Sequence, residues 1–92
     1  FRLNFHAGRA YEEVRLADHQ LWVRQVDPWG RERITRFNPA WVRVVLDRLH
    51  DGVQRLFLAG QGQRVMIGGF LTQDERAEVA GVIRAALGNY RG

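Results

Sequence analysis

Between Glu13 and Gly69, apolar and polar residues alternate with a period of two, and turn sequences interrupt the pattern at short intervals. Alternation places successive side chains on opposite faces of a strand, so it predicts a half-buried antiparallel sheet. At Thr72 the period changes, because Val79 and Ile83 recur at the spacing of one helix face. The chain is therefore predicted to be α+β, with a curved antiparallel sheet of about five to seven strands followed by one C-terminal amphipathic helix.

After a turn at Asp18-His19-Gln20, a hairpin loop is predicted from the sequence Asp27-Pro28-Trp29-Gly30. Proline favours the first central position of a turn, and glycine adopts the left-handed conformation without steric cost. These preferences predict a three-residue loop with a bulge at Gly30. In the resulting register, Leu21 lies opposite Phe37 on the apolar face.

The same register decides where Arg24 lies. In the bulged register Arg24 is opposite Ile34, with Glu32 diagonally close. A two-residue loop would place Arg24 directly opposite Arg33, which is unfavourable for two like charges unless an anion lies between them. Turn chemistry and charge agree, so we predict the bulged register and reject an anion site between these two arginines.

Further breaks divide the rest of the chain. Asn38-Pro39 interrupts the ladder, because proline cannot donate a backbone hydrogen bond. Gly60-Gln61-Gly62 predicts a second hairpin rather than a phosphate-binding loop, since the lysine of such a loop is missing. Thr72-Gln73-Asp74-Glu75 has the pattern of a capping box, which predicts a helix over residues 73 to 87 that is ended by Gly88-Asn89.

The composition excludes much catalytic chemistry. The chain has no serine, cysteine or lysine, so it lacks the commonest nucleophiles, the Schiff-base lysine and the thiolate metal ligand. Its three histidines, His6, His19 and His50, lie in separate segments without the spacing of metal ligands. We therefore expect no enzyme activity, no cofactor and no metal site.

All fourteen basic residues are arginines, and the formal net charge is +4. Several arginines lie on strands between residues that face the core, so they are expected to point outward, with tryptophans near them. Such a face suits anionic lipid headgroups or a protein partner, whereas nucleic acid is disfavoured because no recognition motif is present. The alternative is an ordinary solvated face. The candidate contact residues are Arg15, Arg24, Arg43, Arg55, Arg64, Trp22 and Trp41.

The first residues predict a membrane context. Phe1, Leu3 and Phe5 are apolar and basic residues lie beside them, as is typical of the cytoplasmic end of a membrane helix. A short amphipathic segment that packs on the domain would have the same pattern. We expect residues 1–12 to be a juxtamembrane lead-in and residues 13–92 to form a single domain, too small for two cores. The missing initiator methionine suggests a fragment of a longer chain.

Several segments resemble the bacterial family known as domain of unknown function 2244, and together they extend over essentially the whole chain. They are Ala10-Tyr11-Glu12, Gly30-Arg31-Glu32-Arg33, the run Phe37 to Val44, the run Gly62 to Gly68, Phe70-Leu71 and Glu75-Arg76. The family is described as predicted inner-membrane proteins with two hydrophobic segments upstream of this region. The resemblance therefore implies a position at the cytoplasmic face of the inner membrane, and it implies no catalytic residue.

Three functions remain as hypotheses. The first is a non-enzymatic interaction or assembly module of an inner-membrane protein, with an unknown protein partner. The second is direct binding of anionic lipid through the arginine-rich face, and the third is a small enzyme of unknown chemistry. The architecture is similar to a pleckstrin-homology-like sheet with a C-terminal helix, but similarity of fold implies no phosphoinositide binding.

Overall fold

The computed structural model describes residues 1–90, which form seven strands and one helix. The elements are β1 (Arg2–Ala7), β2 (Ala10–Ala17), β3 (Gln20–Val26), β4 (Glu32–Phe37), β5 (Arg43–Arg48), β6 (Gln54–Gly60), β7 (Gln63–Ile67) and α1 (Gln73–Asn89). Every strand pairing is antiparallel. The predicted α+β class and the predicted order of strands and helix are confirmed.

The strands form two sheets instead of the single curved sheet that was predicted. One sheet has four strands in the order β1-β2-β3-β4, and the other has three in the order β5-β6-β7. The chain leaves the first sheet at Asn38-Pro39, where the backbone N–H of Trp41 donates to the carbonyl of Asn38 at 3.0 Å. This turn separates β4 from β5, because proline has no backbone N–H with which to continue a ladder.

The β3–β4 hairpin has the predicted register. Gly30 has a φ of +86°, and its N–H donates to the carbonyl of Asp27 at 3.0 Å. Leu21 lies opposite Phe37, and Arg24 lies opposite Ile34. The Asp27 carboxylate strengthens the turn, because it accepts the N–H groups of Trp29 and Arg31, each at 2.9 Å.

Residues 1–12 include the first strand and the beginning of the second. Phe1 and Leu16 exchange two backbone hydrogen bonds, with N···O distances of 2.9 and 3.2 Å, and so extend the β1–β2 ladder to the first residue. Phe5 is buried, and its ring makes an edge contact with Phe70 at a centroid distance of 6.0 Å. Glu13, where the domain was expected to begin, lies within β2.

Both sheets bury one face in a common core that the helix completes. The apolar residues Val14, Val23, Leu56 and Ile67 from the two sheets are fully buried. Ile83 of α1 lies among them. The outer faces of the two sheets remain available to solvent, and they carry most of the predicted site residues.

The helix begins as its capping box predicts. The hydroxyl of Thr72 accepts the N–H of Glu75 at 3.1 Å, and the carboxylate of Glu75 accepts the N–H of Thr72 at 2.9 Å. The helix continues through Gly88 to Asn89, slightly beyond the predicted end. The helix packs against β5 and β6, and a gap remains between the helix and the edge strand β1.

Candidate functional site

The predicted arginine face is divided between the two sheets. Arg15 and Arg24 lie on the outer face of the four-stranded sheet, together with Trp22. The remaining predicted arginines, Arg43, Arg55 and Arg64, lie on strands of the three-stranded sheet. The structure therefore brings together two of the five predicted arginines in one place and the other three in another.

One row of cross-strand neighbours on the four-stranded sheet consists of Arg2, Arg15, Trp22 and Arg36. We call these four residues the arginine–tryptophan row. The guanidinium carbon of Arg15 lies 5.2 Å from the centre of the Trp22 ring, and that of Arg36 lies 5.8 Å from it. Both cations are within the range of a cation–π interaction, so the half-buried indole holds two guanidinium groups close together.

The cations of this row differ in how far they are neutralised. Arg2 forms an ion pair with Glu13. Arg15 and Arg36 are exposed and form no ion pair with any residue from 1 to 90. Sequence reasoning missed Arg2 and Arg36, because their place in the row follows from the strand register and not from the residues beside them.

Arg24 lies in the next row of the same face. It forms an ion pair with Glu32 and lies over the ring of Tyr11, with its guanidinium carbon 5.2 Å from the ring centre. The hydrogen bond to Glu32 raises the pKa of Arg24 above its usual value. A cation that is paired in this way is less available to an external anion than Arg15 or Arg36.

Two arginines of the three-stranded sheet, Arg55 and Arg64, are paired with carboxylates, whereas Arg43 is exposed and forms no ion pair with any residue from 1 to 90. Arg55 binds Asp51 at 2.8 Å, and Arg64 binds Asp47 at 2.9 Å while its guanidinium carbon lies 3.7 Å from the centre of the Phe57 ring. The backbone N–H of Val53 and then the nearby Arg55 lower the pKa of Asp51, so that carboxylate stays charged. Charge balance therefore leaves this face less basic than its number of arginines suggests.

Trp41 does not join the arginine–tryptophan row. It lies in the turn between β4 and β5 and is 68% exposed. Its backbone passes so close to Gly60 that a Cβ atom at position 60 would lie 2.6 Å from the Trp41 carbonyl oxygen. The turn is thus fixed by backbone contact, and the indole projects from it into solvent.

A second surface feature is the groove between β1 and α1, with a volume of about 210 Å³. We call it the β1–α1 groove. Its lining is mostly apolar, and two carboxylates belong to it. It is lined by Leu3, Asn4, Phe5, Leu71, Val79, Val82, Glu75 and Glu78. Val82 is 41% exposed, which shows that the helix contributes uncovered apolar surface here.

The carboxylates of the groove belong to the first turns of α1. The backbone N–H and then the hydroxyl of Thr72 lower the pKa of Glu75. Glu78 forms no ion pair within the described part of the chain. The groove therefore combines an apolar lining with negative charge, whereas the outer face of the four-stranded sheet is basic.

A hollow of about 220 Å³ at the base of the β3–β4 hairpin has a polar lining. Gln25, Asp27, Arg31, Glu32 and Arg33 line it. Nε of Arg31 lies 3.4 Å from Oδ2 of Asp27 in this hollow. These groups balance one another's charge and include no nucleophile of the hydroxyl or thiol type.

The histidines do not converge. His6 contacts the ring of Tyr11 at a centroid distance of 5.6 Å, and Nδ1 of His19 is 3.3 Å from the hydroxyl of Tyr90. His50 lies in the turn between β5 and β6. Residues 1–90 contain no group of three histidine or carboxylate side chains that could hold a metal ion.

The turn between β7 and α1 contains a buried polar cluster that sequence reasoning missed. Glu12 accepts the N–H of Gly68 at 2.7 Å and the side-chain amide of Gln25 at 2.9 Å. Arg76 donates to the carbonyl oxygens of Gly68 at 2.9 Å and Gln54 at 2.8 Å. Both charged side chains are buried, and each reaches the same glycine from a different direction.

Three of the segments that carry the family resemblance meet at this buried cluster. Glu12 lies in β2, Gly68 directly follows β7, and Arg76 lies in α1. Gly68 has a φ of +65°, which favours glycine, and its N–H and C=O are both used. Satisfied buried hydrogen bonds of this kind fix the geometry of a turn, so the role of these residues is in the fold.

Comparison with known proteins identifies a family. The model of a family described as Integral membrane protein (DUF2244) matches residues 1–87, and the chain belongs to this family. No curated protein matches the chain, and neither does any solved structure. Within residues 1–90, no helix is long and apolar enough to cross a membrane.

Proposed function

We propose that this member of an integral membrane protein family is a non-enzymatic domain at the cytoplasmic face of the bacterial inner membrane, where it contacts anionic lipid headgroups. The observation that supports the proposal is the pair Arg15 and Arg36. Both cations are exposed, both lie against Trp22, and neither is paired with a carboxylate among the described residues.

The chemistry of the row suits a lipid phosphate. A guanidinium group forms two parallel hydrogen bonds with a phosphate and is weakly hydrated, so it loses little when it leaves water. Trp22 holds the two cations near each other before any ligand arrives, which lowers the entropy cost of binding. Membership in an integral membrane protein family also supports a lipid ligand, because such proteins lie beside a lipid surface.

The non-enzymatic part of the proposal rests on the chemistry that the residues provide. The chain has no serine, cysteine or lysine. A carboxylate acting as general acid near neutral pH needs a raised pKa. The carboxyl groups of Asp51 and Glu75 have lowered pKa values instead, because backbone N–H groups and neighbouring side chains stabilise their charged forms.

Vesicle flotation with matched variants tests the proposal. The double variant Arg15→Gln/Arg36→Gln removes two unpaired cations, and Arg55→Gln/Arg64→Gln removes two cations from the other sheet, so both lose the same charge. Each basic residue near an anionic surface contributes about 1 kcal/mol, so the first variant should bind about thirtyfold more weakly at low salt. The second variant should bind within about threefold of the unmodified chain.

Salt and lipid composition provide the remaining controls. Binding should be weak, should be absent on neutral vesicles, and should fall at physiological ionic strength, where the Debye length is about 8 Å. Equal losses in the two double variants would show that net charge alone is responsible, and the proposed role of the row would be wrong. Salt-insensitive binding would also contradict it, because it indicates a specific lipid pocket.

A second candidate function is binding of a protein partner, the first hypothesis from the sequence. The β1–α1 groove favours it, because apolar side chains such as Val82 are uncovered there. In the full-length membrane protein, a photo-crosslinking residue in place of Val82 should capture a partner, whereas one in place of Ala77 should not. Ala77 is exposed on the same helix but does not line the groove. Equal capture at both positions would contradict this function.

A further inference from the structure

The free edge of β1 lies beside the β1–α1 groove. Phe1 and Leu16 exchange both backbone hydrogen bonds, so alternate residues of β1 direct their N–H and C=O groups toward β2. The residues between them, Arg2, Asn4 and His6, direct these groups away from β2. Because β1 is the outermost strand of its sheet, no strand among residues 1–90 pairs with this edge.

We infer that the β1–α1 groove binds an extended segment of a partner protein, which adds to the free edge of β1 as a fifth strand and carries alternating apolar and basic residues. The inference rests on the protein-binding function proposed for the same groove and specifies the chemistry of the partner. It concerns a different surface from the arginine–tryptophan row.

The backbone favours a strand over a helix as the occupant. A helix satisfies its own backbone groups and would leave the N–H and C=O of Asn4 unpaired in the groove. An added strand pairs with them, and main-chain hydrogen bonds then provide affinity while alternate side chains provide specificity. The groove extends along Leu3, Asn4 and Phe5, so its long side is the strand edge itself.

The lining of the groove determines which side chains fit. Alternate residues of an added strand point toward the helix, where Leu71, Val79 and Val82 present apolar surface. The basic residues are the ones that face the helix, because lysine or arginine stems can cover such a surface while their charged ends reach a carboxylate. The apolar residues between them point to the other face, where they favour the extended conformation. Glu78 is exposed and unpaired with any cation among the described residues, so it provides that carboxylate. The groove therefore prefers a basic segment to an acidic one.

Synthetic peptides provide the probe. An end-capped peptide of alternating valine and arginine, about eight residues long like a typical strand, should bind the 92-residue chain with a dissociation constant below about 1 mM. The same peptide with glutamate in place of arginine should bind about tenfold more weakly. Chemical shift changes followed by NMR should locate to β1 and α1. Comparable affinity for both peptides would overturn the basic preference.

Hydrogen exchange tests the strand itself. The backbone amide of Asn4 should exchange about tenfold more slowly with saturating valine–arginine peptide, because it gains a hydrogen-bond partner. The amide of Leu3, which already faces β2, serves as the internal control. A peptide that carries N-methyl groups on alternate amides should lose this protection. Binding without protection of Asn4 would overturn strand addition but leave partner binding in place.

Matched variants complete the test. Val82→Arg should weaken binding of the valine–arginine peptide about tenfold, because it places a cation in the groove, whereas Ala77→Arg, which adds the same charge outside the groove, should not. Glu78→Arg should reverse the preference toward the glutamate peptide. Crosslinking at position 82 together with equal affinity for the arginine and glutamate peptides would leave the protein-binding function in place. It would overturn the proposed partner chemistry. Dimerisation of the chain through β1 would replace the partner by a second copy and also overturn the inference.

Discussion

The turn between β7 and α1 and the outer face of the four-stranded sheet use arginine in opposite ways. Arg76 is buried and donates to the carbonyl oxygens of Gly68, Gln54 and Gly69. Arg15 and Arg36 are exposed and contact the Trp22 ring. A buried guanidinium must satisfy its donors inside the protein, whereas an exposed one can exchange water for a ligand. Burial therefore decides which arginines serve the fold and which remain available for binding.

The largest expected effect separates these two regions by stability. Arg76→Met should lower the free energy of unfolding by about 3 kcal/mol, because the carbonyl oxygens of Gly68, Gln54 and Gly69 lose their buried donor. Arg15→Met should lower it by only about 0.5 kcal/mol, the contribution of one exposed cation–π contact. Urea unfolding followed by far-ultraviolet circular dichroism measures both. Similar losses in the two variants would contradict the distinction.

The capping box is the next contribution to the stability of the β7–α1 turn. Thr72→Ala should lower the free energy of unfolding by about 1 kcal/mol, because the N–H of Glu75 loses its acceptor. Since Thr72 lowers the pKa of Glu75, the stabilisation from this carboxylate is complete above its ordinary value of 4.5 and is lost as the pH falls through the lower folded-state pKa. The difference between the two proteins should therefore shrink in acid. A constant difference from neutral pH to acid would show that the Thr72 hydroxyl does not stabilise the charge of Glu75, because both proteins keep the bond from the backbone N–H of residue 72.

Contacts between chain neighbours were predictable from the sequence, and contacts between distant residues were not. The capping box and the Asp27–Gly30 loop were predicted to the residue, because both depend on contacts between neighbours along the chain. The contact between Glu12 and Gly68 joins residues 56 positions apart, and no local pattern contains it. Propensity and period can therefore locate elements, but they cannot pair distant polar groups.

The arginine–tryptophan row was predicted only in part for the same reason. Arg15 and Trp22 were identified because both alternate with core residues on their strands. Arg36 was missed, since its place beside Trp22 depends on the β3–β4 register rather than on its neighbours. The division of the predicted arginines between two sheets could not be derived either, because it depends on where Asn38-Pro39 redirects the chain.

The cation–π contacts of the row should contribute a smaller amount to stability. Trp22→Leu should lower the free energy of unfolding by about 1 kcal/mol, because exposed cation–π contacts are worth about 0.5 kcal/mol or more each and the indole has two. Trp41→Leu is the matched control, since Trp41 is 68% exposed and no cation–π contact of its ring is found within residues 1–90. Thermal unfolding of both variants measures the difference. A larger loss at Trp41 would show that Trp22 does not organise the row.

The smallest expected effect on stability comes from the three-stranded sheet. It also tests directly whether pairing with a carboxylate makes an arginine unavailable for binding. Asp47→Asn removes the exposed ion pair with Arg64, so the free energy of unfolding should fall by about 0.5 kcal/mol or less. The same change frees a cation on the three-stranded sheet and raises the net charge. If pairing with a carboxylate is what keeps Arg64 from binding lipid, Asp47→Asn should bind anionic vesicles about threefold more tightly at low salt.

Two further variants distinguish a local effect of the freed Arg64 from an effect of net charge. Arg64→Gln added to Asp47→Asn should abolish the gain, because it removes the freed cation. Glu78→Gln raises the net charge equally but lies in the β1–α1 groove, so it should change vesicle binding less than Asp47→Asn does. Equal gains from Asp47→Asn and Glu78→Gln would mean that vesicles respond to total charge. In that case the local pairing of arginines with carboxylates would not determine which face meets the membrane.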